Sequence, residues 1–304
     1  MVKDQSCLQK LSTYVWSVLE LDKKRVKKQE RFRTGFQLVF TALTNGYVKG
    51  FAQGKIFQGP SKEVCLPGLN CYSCPGSLGA CPIGAMQAIA NDRNFTVPFY
   101  VWGFLIGAGA LFGRLVCGFM CPFGLVQDLL YKLPVPWKFK AVKGDRYLRF
   151  LKYGILVVFV LILPMFFVGE FGQGDPWFCK YICPSGTLMA GWPLVLLNEG
   201  LRTALGFLFV WKSVILIVLI LLSLMIYRPF CRYLCPLGAV YGLFNKVSLY
   251  RLRVDKARCT ECGACKASCR LKIDPCKTPN SMECIRCGRC VKACGAGALR
   301  RGIK

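Results

Sequence analysis

Arg228-Pro229-Phe230-Cys231-Arg232-Tyr233-Leu234-Cys235-Pro236-Leu237-Gly238 carries the pattern around which this chain is organised: Cys-Pro-x-Gly with a second cysteine four residues upstream. The signature occurs four times, at Cys81-Pro82-Ile83-Gly84, Cys121-Pro122-Phe123-Gly124, Cys183-Pro184-Ser185-Gly186 and Cys235-Pro236-Leu237-Gly238. Cys117, Cys179 and Cys231 stand four residues before the last three copies; before the first, Cys74 is seven back. Cys-x3-Cys-Pro is the tail of the bacterial iron–sulfur run C-x2-C-x2-C-x3-C-P. A cluster needs four thiolates, so isolated pairs have to be read in combination.

The composition says where such pairs would sit. An apolar fraction of 54% and a mean hydropathy of +0.41 over 304 residues point to a membrane protein. Twenty cysteines at C-x2-C and C-x3-C-P spacings are metal-site spacings rather than packing. Histidine is absent. That excludes His-ligated haem, Rieske centres and the common catalytic zinc sites, and removes the usual base of a catalytic triad. The net charge of +26 does not indicate nucleic acid, because it is distributed by loop as membrane topology requires.

Residues 7–21 put Leu8, Leu11, Val15, Val18 and Leu19 on one helical face, ahead of seven Lys/Arg between Lys23 and Arg33. This start reads as a basic helix on the inner membrane surface or packed on the protein. Lys10 and the basic run leave no core for a cleavable signal peptide. Four spans follow, at about 34–50, 96–116, 148–168 and 206–226; residues 187–200, with Pro193, read as a re-entrant or interfacial piece. Seven Lys/Arg precede the first span and seven lie between Lys132 and Lys152. The other two loops hold only Lys55, Lys62 and Arg93, and Lys180 and Arg202. By the positive-inside rule both termini are cytoplasmic, in the inner membrane of a prokaryote.

The chain also repeats. Arg114-x2-Cys117-x3-Cys121 matches Arg228-x2-Cys231-x3-Cys235, and Val48-x2-Phe51-x-Gln53-Gly54 matches Val168-x2-Phe171-x-Gln173-Gly174. Two halves of two helices in one orientation imply a pseudo-twofold axis along the membrane normal. The axis would bring Cys117, Cys121, Cys231 and Cys235 to one inner [4Fe-4S] cluster. Cys179 and Cys183 would join Cys74 and Cys81 at an outer one, with Cys71 or Cys65 as alternative ligands or as a disulfide pair. The proline is read as ending a helix or fixing a turn, and the glycine as allowing close backbone approach. Arg114 and Arg228, three residues before a ligand, would compensate cluster charge or snorkel to the interface.

The last 55 residues hold Cys259-x2-Cys262-x2-Cys265-x3-Cys269 and Cys284-x2-Cys287-x2-Cys290-x3-Cys294. In this double run the fourth cysteine of each ligates the other cluster. One set is therefore Cys259, Cys262, Cys265 and Cys294, and the other Cys284, Cys287, Cys290 and Cys269. Arg270 and Gly295 stand where proline is usual; Cys276 and Cys7 have no assigned role. Two interlocked runs argue against zinc.

Over residues 30–304 the chain resembles the NapH/NosR group of membrane ferredoxin-type proteins, on the strength of Cys117/Cys121, Cys231/Cys235 and the two ferredoxin runs. The resemblance implies electron passage between the cytoplasmic side or the quinone pool and redox partners outside, among them nitrogen-oxide reductases and flavin-bearing proteins. The outer motifs, Cys65–Cys81 and Cys179/Cys183, depart from the group.

The expected architecture is an all-α polytopic domain of four transmembrane helices with a pseudo-twofold repeat (34–249). It is preceded by a basic segment (1–33) and followed by an α+β bacterial-type 2[4Fe-4S] ferredoxin domain (250–304). The expected function is transmembrane electron transfer through four [4Fe-4S] clusters. The donor would be a cytoplasmic ferredoxin or flavodoxin and the acceptor extracytoplasmic, within a complex of other membrane subunits. The alternatives are a quinone-linked electron-transfer subunit and an iron–sulfur sensor or assembly subunit.

Overall fold

The computed structural model describes residues 3–89, 99–139, 142, 144–167 and 175–303, with side chains from residue 23 onward. The apolar face of 7–21, the Cys7 side chain, Arg93, Lys140, Lys143 and the repeat residues Val168 to Gly174 lie outside the described residues.

The first helix differs from expectation. Lys3–Thr44 is one helix of 42 residues rather than a surface helix, a basic run and a separate span. Its sequence explains this: no proline interrupts it, its one glycine is Gly35, and Lys, Arg, Gln, Glu and Leu are all good helix formers. It stops where the Thr44 hydroxyl and the Asn45 amide turn back onto the carbonyls of Phe40 (2.8 Å) and Thr41 (3.0 Å). Over its last turns Phe36, Leu38, Val39 and Leu43 are exposed, while Arg33, Thr34, Gln37 and Thr44 face inward and are buried.

Two helices are long and apolar enough to cross a bilayer: Asp145–Phe166, of 22 residues, and Phe207–Met225, of 19. Phe207–Met225 leaves Val210, Val214, Ile217, Val218 and Leu221 exposed, an apolar face that water would not tolerate over such a length. The expected 96–116 span is shorter. Its helix runs Phe99–Phe112, and Gly113 at φ 52 ends it before a new helix, Leu115–Phe119. Residues 184–197 form a helix of their own.

Between and after these lie Pro229–Tyr233, which contains Cys231, and the short helices that begin directly after a cysteine: Pro82–Ile89, Pro122–Lys132 and Pro236–Phe244. The ferredoxin segment closes with two antiparallel strands, Tyr250–Val254 and Leu299–Ile303, in the register Leu252↔Arg301.

Polar contacts dock this segment on the helices. Asn245 Nδ2 donates to the carbonyls of Ser281 (2.9 Å) and Cys284 (2.8 Å), and Arg286 donates to Phe112 O (3.0 Å) and Asn245 O (2.8 Å). Arg270, where proline was expected, lies over the rings of Tyr131 and Tyr227 and pairs with Glu30 at 3.0 Å. Gly118 packs so close to Ile285 O that a β-carbon there would strike it.

Glu283 is the hinge of this docking, paired with Arg114 at 3.0 Å and Lys152 at 2.6 Å. Burial alone would raise its carboxyl, but the charges of Arg114 and Lys152 outweigh that and hold it below the ordinary value of 4.5. Its contribution is therefore complete above that value and is lost as pH falls through the depressed one. Glu283→Gln leaves two buried cations facing each other and is expected to cost roughly 3–5 kcal/mol. Amide exchange across 281–287 should quicken in the variant, and in the unsubstituted protein only in acid. Unchanged exchange in the variant would refute the hinge.

Candidate iron–sulfur centres

The inner half-motifs come together as the repeat requires. Cys117 lies in Leu115–Phe119, Cys231 in Pro229–Tyr233, and all four of Cys117, Cys121, Cys231 and Cys235 are buried. Their charges act on one another across the two halves. The role of the proline is the reverse of that expected. Cys121 and Cys235 are N-caps, Pro122 and Pro236 open the helices that follow, and the glycine N–H donates to the cysteine sulfur (3.4 Å in each case). Proline suits this first position because its missing N–H would have no partner there anyway. The helix N-terminus also favours a thiolate.

The arginines cross between halves. Arg228 donates to Cys117 O (2.6 Å) and Arg114 to Cys231 O (3.1 Å). Both are essentially unexposed, which removes snorkelling as their role. Arg228 has φ 51, a strained value for a side-chain-bearing residue, and is held there by a two-pronged pair with Asp128 (2.8 and 2.5 Å). Asp128 also takes Arg33 at 2.7 Å, and Arg33 donates to Gly118 O at 3.4 Å.

Two glutamines went unread in the sequence. Gln127 Nε2 donates to Cys231 Sγ (3.1 Å) while its Oε1 accepts from Phe230 N (3.2 Å). Gln87 does the same with Cys179 Sγ (3.3 Å) and Phe178 N (2.9 Å). The signal was present: each glutamine stands six residues after the cysteine of its Cys-Pro-x-Gly.

At the outer site Cys71, Cys81, Cys179 and Cys183 line one cavity of about 330 Å³. This corrects the expectation for Cys74, which turns away and meets Asn45 Oδ1 at 3.7 Å. A tight turn, closed by Cys74 N–H donating to Cys71 O at 3.1 Å, lies between the two. Cys65 is buried beside its bridge to Ala80, and no disulfide joins the described cysteines. Lys212, another residue missed in the sequence, donates to Cys179 O (3.0 Å) and faces Cys71 and Cys183.

In the ferredoxin segment Cys269, Cys284, Cys287 and Cys290 line one cavity, and Cys259, Cys262, Cys265 and Cys294 another, which Cys276 shares. Sets of four thiols around a cavity, with N–H donors turned to the sulfurs, fit a group that brings its own irons and sulfides.

Cys71→Ala should remove one cluster, about four irons per chain, while Cys74→Ala retains it. Iron and acid-labile sulfide on anaerobically purified protein decide this, and the reverse pattern would restore Cys74 as the ligand. Gln127→Leu removes a hydrogen bond to a ligand sulfur and should lower the inner potential in a redox titration followed by electron paramagnetic resonance. An unmoved potential would make Gln127 structural only.

A 4Fe-4S binding domain family matches four times, over residues 79–100, 94–140, 152–196 and 207–256, with one Cys-Pro-x-Gly in each match. These matches cover just over half of the chain, and a second 4Fe-4S binding domain matches residues 278–300. Methylamine utilization ferredoxin-type protein MauN of Methylorubrum extorquens is 31% identical over 231 residues, 72% of this chain and 70% of that protein. An uncharacterized protein of Methanocaldococcus jannaschii is 31% identical over 193 residues, 62% of this chain and 63% of its own length. Ferredoxin-type protein NapH of Haemophilus influenzae is 31% identical over 197 residues, 60% of this chain and 59% of its own. The chain thus spans about three fifths of the length of the last two. No solved structure matches. Four Cys-Pro-x-Gly copies in the repeated match, a ferredoxin double run and these relatives agree: the chain belongs to the NapH/NosR-type family of [4Fe-4S] ferredoxin proteins.

Proposed function

We propose that the chain is a transmembrane electron conduit. It takes electrons on the cytoplasmic side at the ferredoxin domain and delivers them to an acceptor outside. The observation that carries this reading is the loop that joins the inner and outer thiol sets. Gly68 packs so close to the backbone of Met120 and Cys121 that a β-carbon there would strike it; Leu69 lines the outer cavity, and two residues on is Cys71. Tyr241, fully buried near Cys117, Cys121 and Cys81, fastens the loop through Pro67 O at 3.1 Å. A short run of backbone therefore links the two sets.

The inner set is linked to the ferredoxin domain in turn. Ile285 lies on Gly118, next to Cys117, and Gln29 donates to Cys287 O at 3.2 Å. The far ferredoxin set contains the exposed Cys262 and is framed by Lys256, Lys266 and Lys277 together with Glu261 and Asp274, a charged face where a soluble ferredoxin or flavodoxin would dock. When bound, [4Fe-4S] clusters supply one-electron chemistry, and the residues around them set their potentials. The chain's own part is to hold the four sets in order, exclude water and offset thiolate charge. In this reading Phe99–Phe112 and the end of Lys3–Thr44 complete four crossings, both termini are cytoplasmic, and Lys180 and Tyr72 beside the outer cavity meet the external, flavin-bearing partner.

Proteoliposomes with the ferredoxin domain outward and a membrane-impermeant acceptor trapped inside test the reading. Reduced ferredoxin added outside should reduce the trapped acceptor, and Cys71→Ala should stop it. Reduction of the protein without reduction of the acceptor would overturn the conduit. Reduction only after a quinone is added would make the chain a quinone-linked subunit.

A further inference from the structure

The far ferredoxin site has one thiol more than a cubane can use. Cys259, Cys262, Cys265, Cys276 and Cys294 all line a single cavity of about 570 Å³, whereas a [4Fe-4S] cluster takes four thiolates. Cys276 is no stray side chain at the edge of this cavity. Its Sγ lies 3.4 Å from Cys265 Sγ and 3.7 Å from Cys259 Sγ, in direct contact with two sulfurs of the first run. The backbone that presents it is pinned. Asp274 Oδ1 accepts from the N–H groups of Cys276 (3.2 Å) and Lys277 (3.4 Å), and Asp274 O accepts from Thr278 N (2.9 Å). Asn280 then ties the segment to the first strand by exchanging hydrogen bonds with Leu252 N and O, at 3.1 Å each.

Cys294 reaches the same cavity from the opposite end of the segment, just after Arg289–Lys292. Two independent pieces of backbone thus each bring a thiol to the three cysteines of the first run. The second ferredoxin cavity has no such surplus among the described residues, its thiols being Cys269, Cys284, Cys287 and Cys290.

We infer that Cys276 is a reserve iron ligand of this site, so that the cluster held by Cys259, Cys262 and Cys265 takes its fourth thiolate from either Cys294 or Cys276. The exchange is redox-neutral. Cys276 gives up its proton as its sulfur binds iron, and Cys294 takes up a proton as its iron–sulfur bond breaks. A reserve thiol belongs here because this set, with Cys262 exposed, is the one that solvent and oxidants reach. It lets the site survive the loss of one ligand. The inference rests on cluster binding in the ferredoxin segment and not on the route across the membrane, so its test is indifferent to whether electrons cross.

The test uses full-length protein, purified without oxygen, with alanine in place of cysteine because a serine oxygen can itself bind iron. Cys294→Ala should keep the iron content of the unsubstituted chain while its reduced-state paramagnetic spectrum changes, the ligand set having changed. The double variant Cys276→Ala/Cys294→Ala should lose about four irons per chain. The spectrum of the cluster at Cys269, Cys284, Cys287 and Cys290 reports in every sample whether the segment has folded. Alkylation and mass spectrometry give a second readout: Cys276 is modified in the unsubstituted protein and protected in Cys294→Ala. If Cys294→Ala loses as much iron as the double variant, or leaves Cys276 open to alkylation, the reserve role is wrong. An unsubstituted chain that holds no cluster at this site would instead overturn the assignment of the site itself.

Discussion

Thiolate sulfur is costly to take out of water, and most of the buried polar structure of this protein answers that cost. Around the inner cysteines the answer is an ion network in which Arg33 and Arg228 meet Asp128 while Arg114 and Lys152 meet Glu283. Removing one partner from such a buried pair leaves a naked charge, a larger penalty than the pair's own net worth. The arginines are thus held by carboxylates while their remaining donors reach the backbone at Cys117 and Cys231. Charge that would otherwise repel an apolar environment becomes the cement between the halves.

The same need explains why the local device is built twice. At both membrane sites a helix opens on Cys-Pro, and a glutamine one and a half turns later holds the cysteine of the other half by sulfur and backbone together. Helix N-termini and amide N–H groups give fixed partial positive charge without a counter-ion, which suits a buried site. Lys212 adds a full charge at the outer set, as Arg114 and Arg228 do at the inner one.

What could be read in the sequence was whatever is local along the chain. The double ferredoxin run announces its own ligand exchange, and the repeat about Arg114 and Arg228 pointed to the halves whose buried cysteines act on one another. Cys71 against Cys74 was not legible, because the four-residue turn between them leaves open which thiol lines the cavity and spacing alone does not encode it. Asp128 and Glu283 were not singled out in the sequence, since their partners are some ninety-five or more residues away. The proline was misjudged because it is compatible with both the end and the first turn of a helix, and only the N-capping sulfur tells which. The N-terminal helix was divided on hydropathy, although nothing in its residues breaks the backbone.

That undivided helix has a consequence of its own. Gln29 touches the ferredoxin segment at Cys287, Arg33 touches the inner site at Gly118, and the Thr44 carbonyl receives Leu78 N from the outer loop at 3.0 Å. At 1.5 Å per residue, about 22 Å of helix separates the first contact from the last. An α-helix neither stretches nor folds under thermal motion as a loop does, so one rod works as a ruler laid along the redox sites. Tunnelling between such sites falls steeply with distance. In the proposed conduit, the tolerance of electron transfer is therefore set less by the cysteines than by the residue count of a helix that contributes no described ligand.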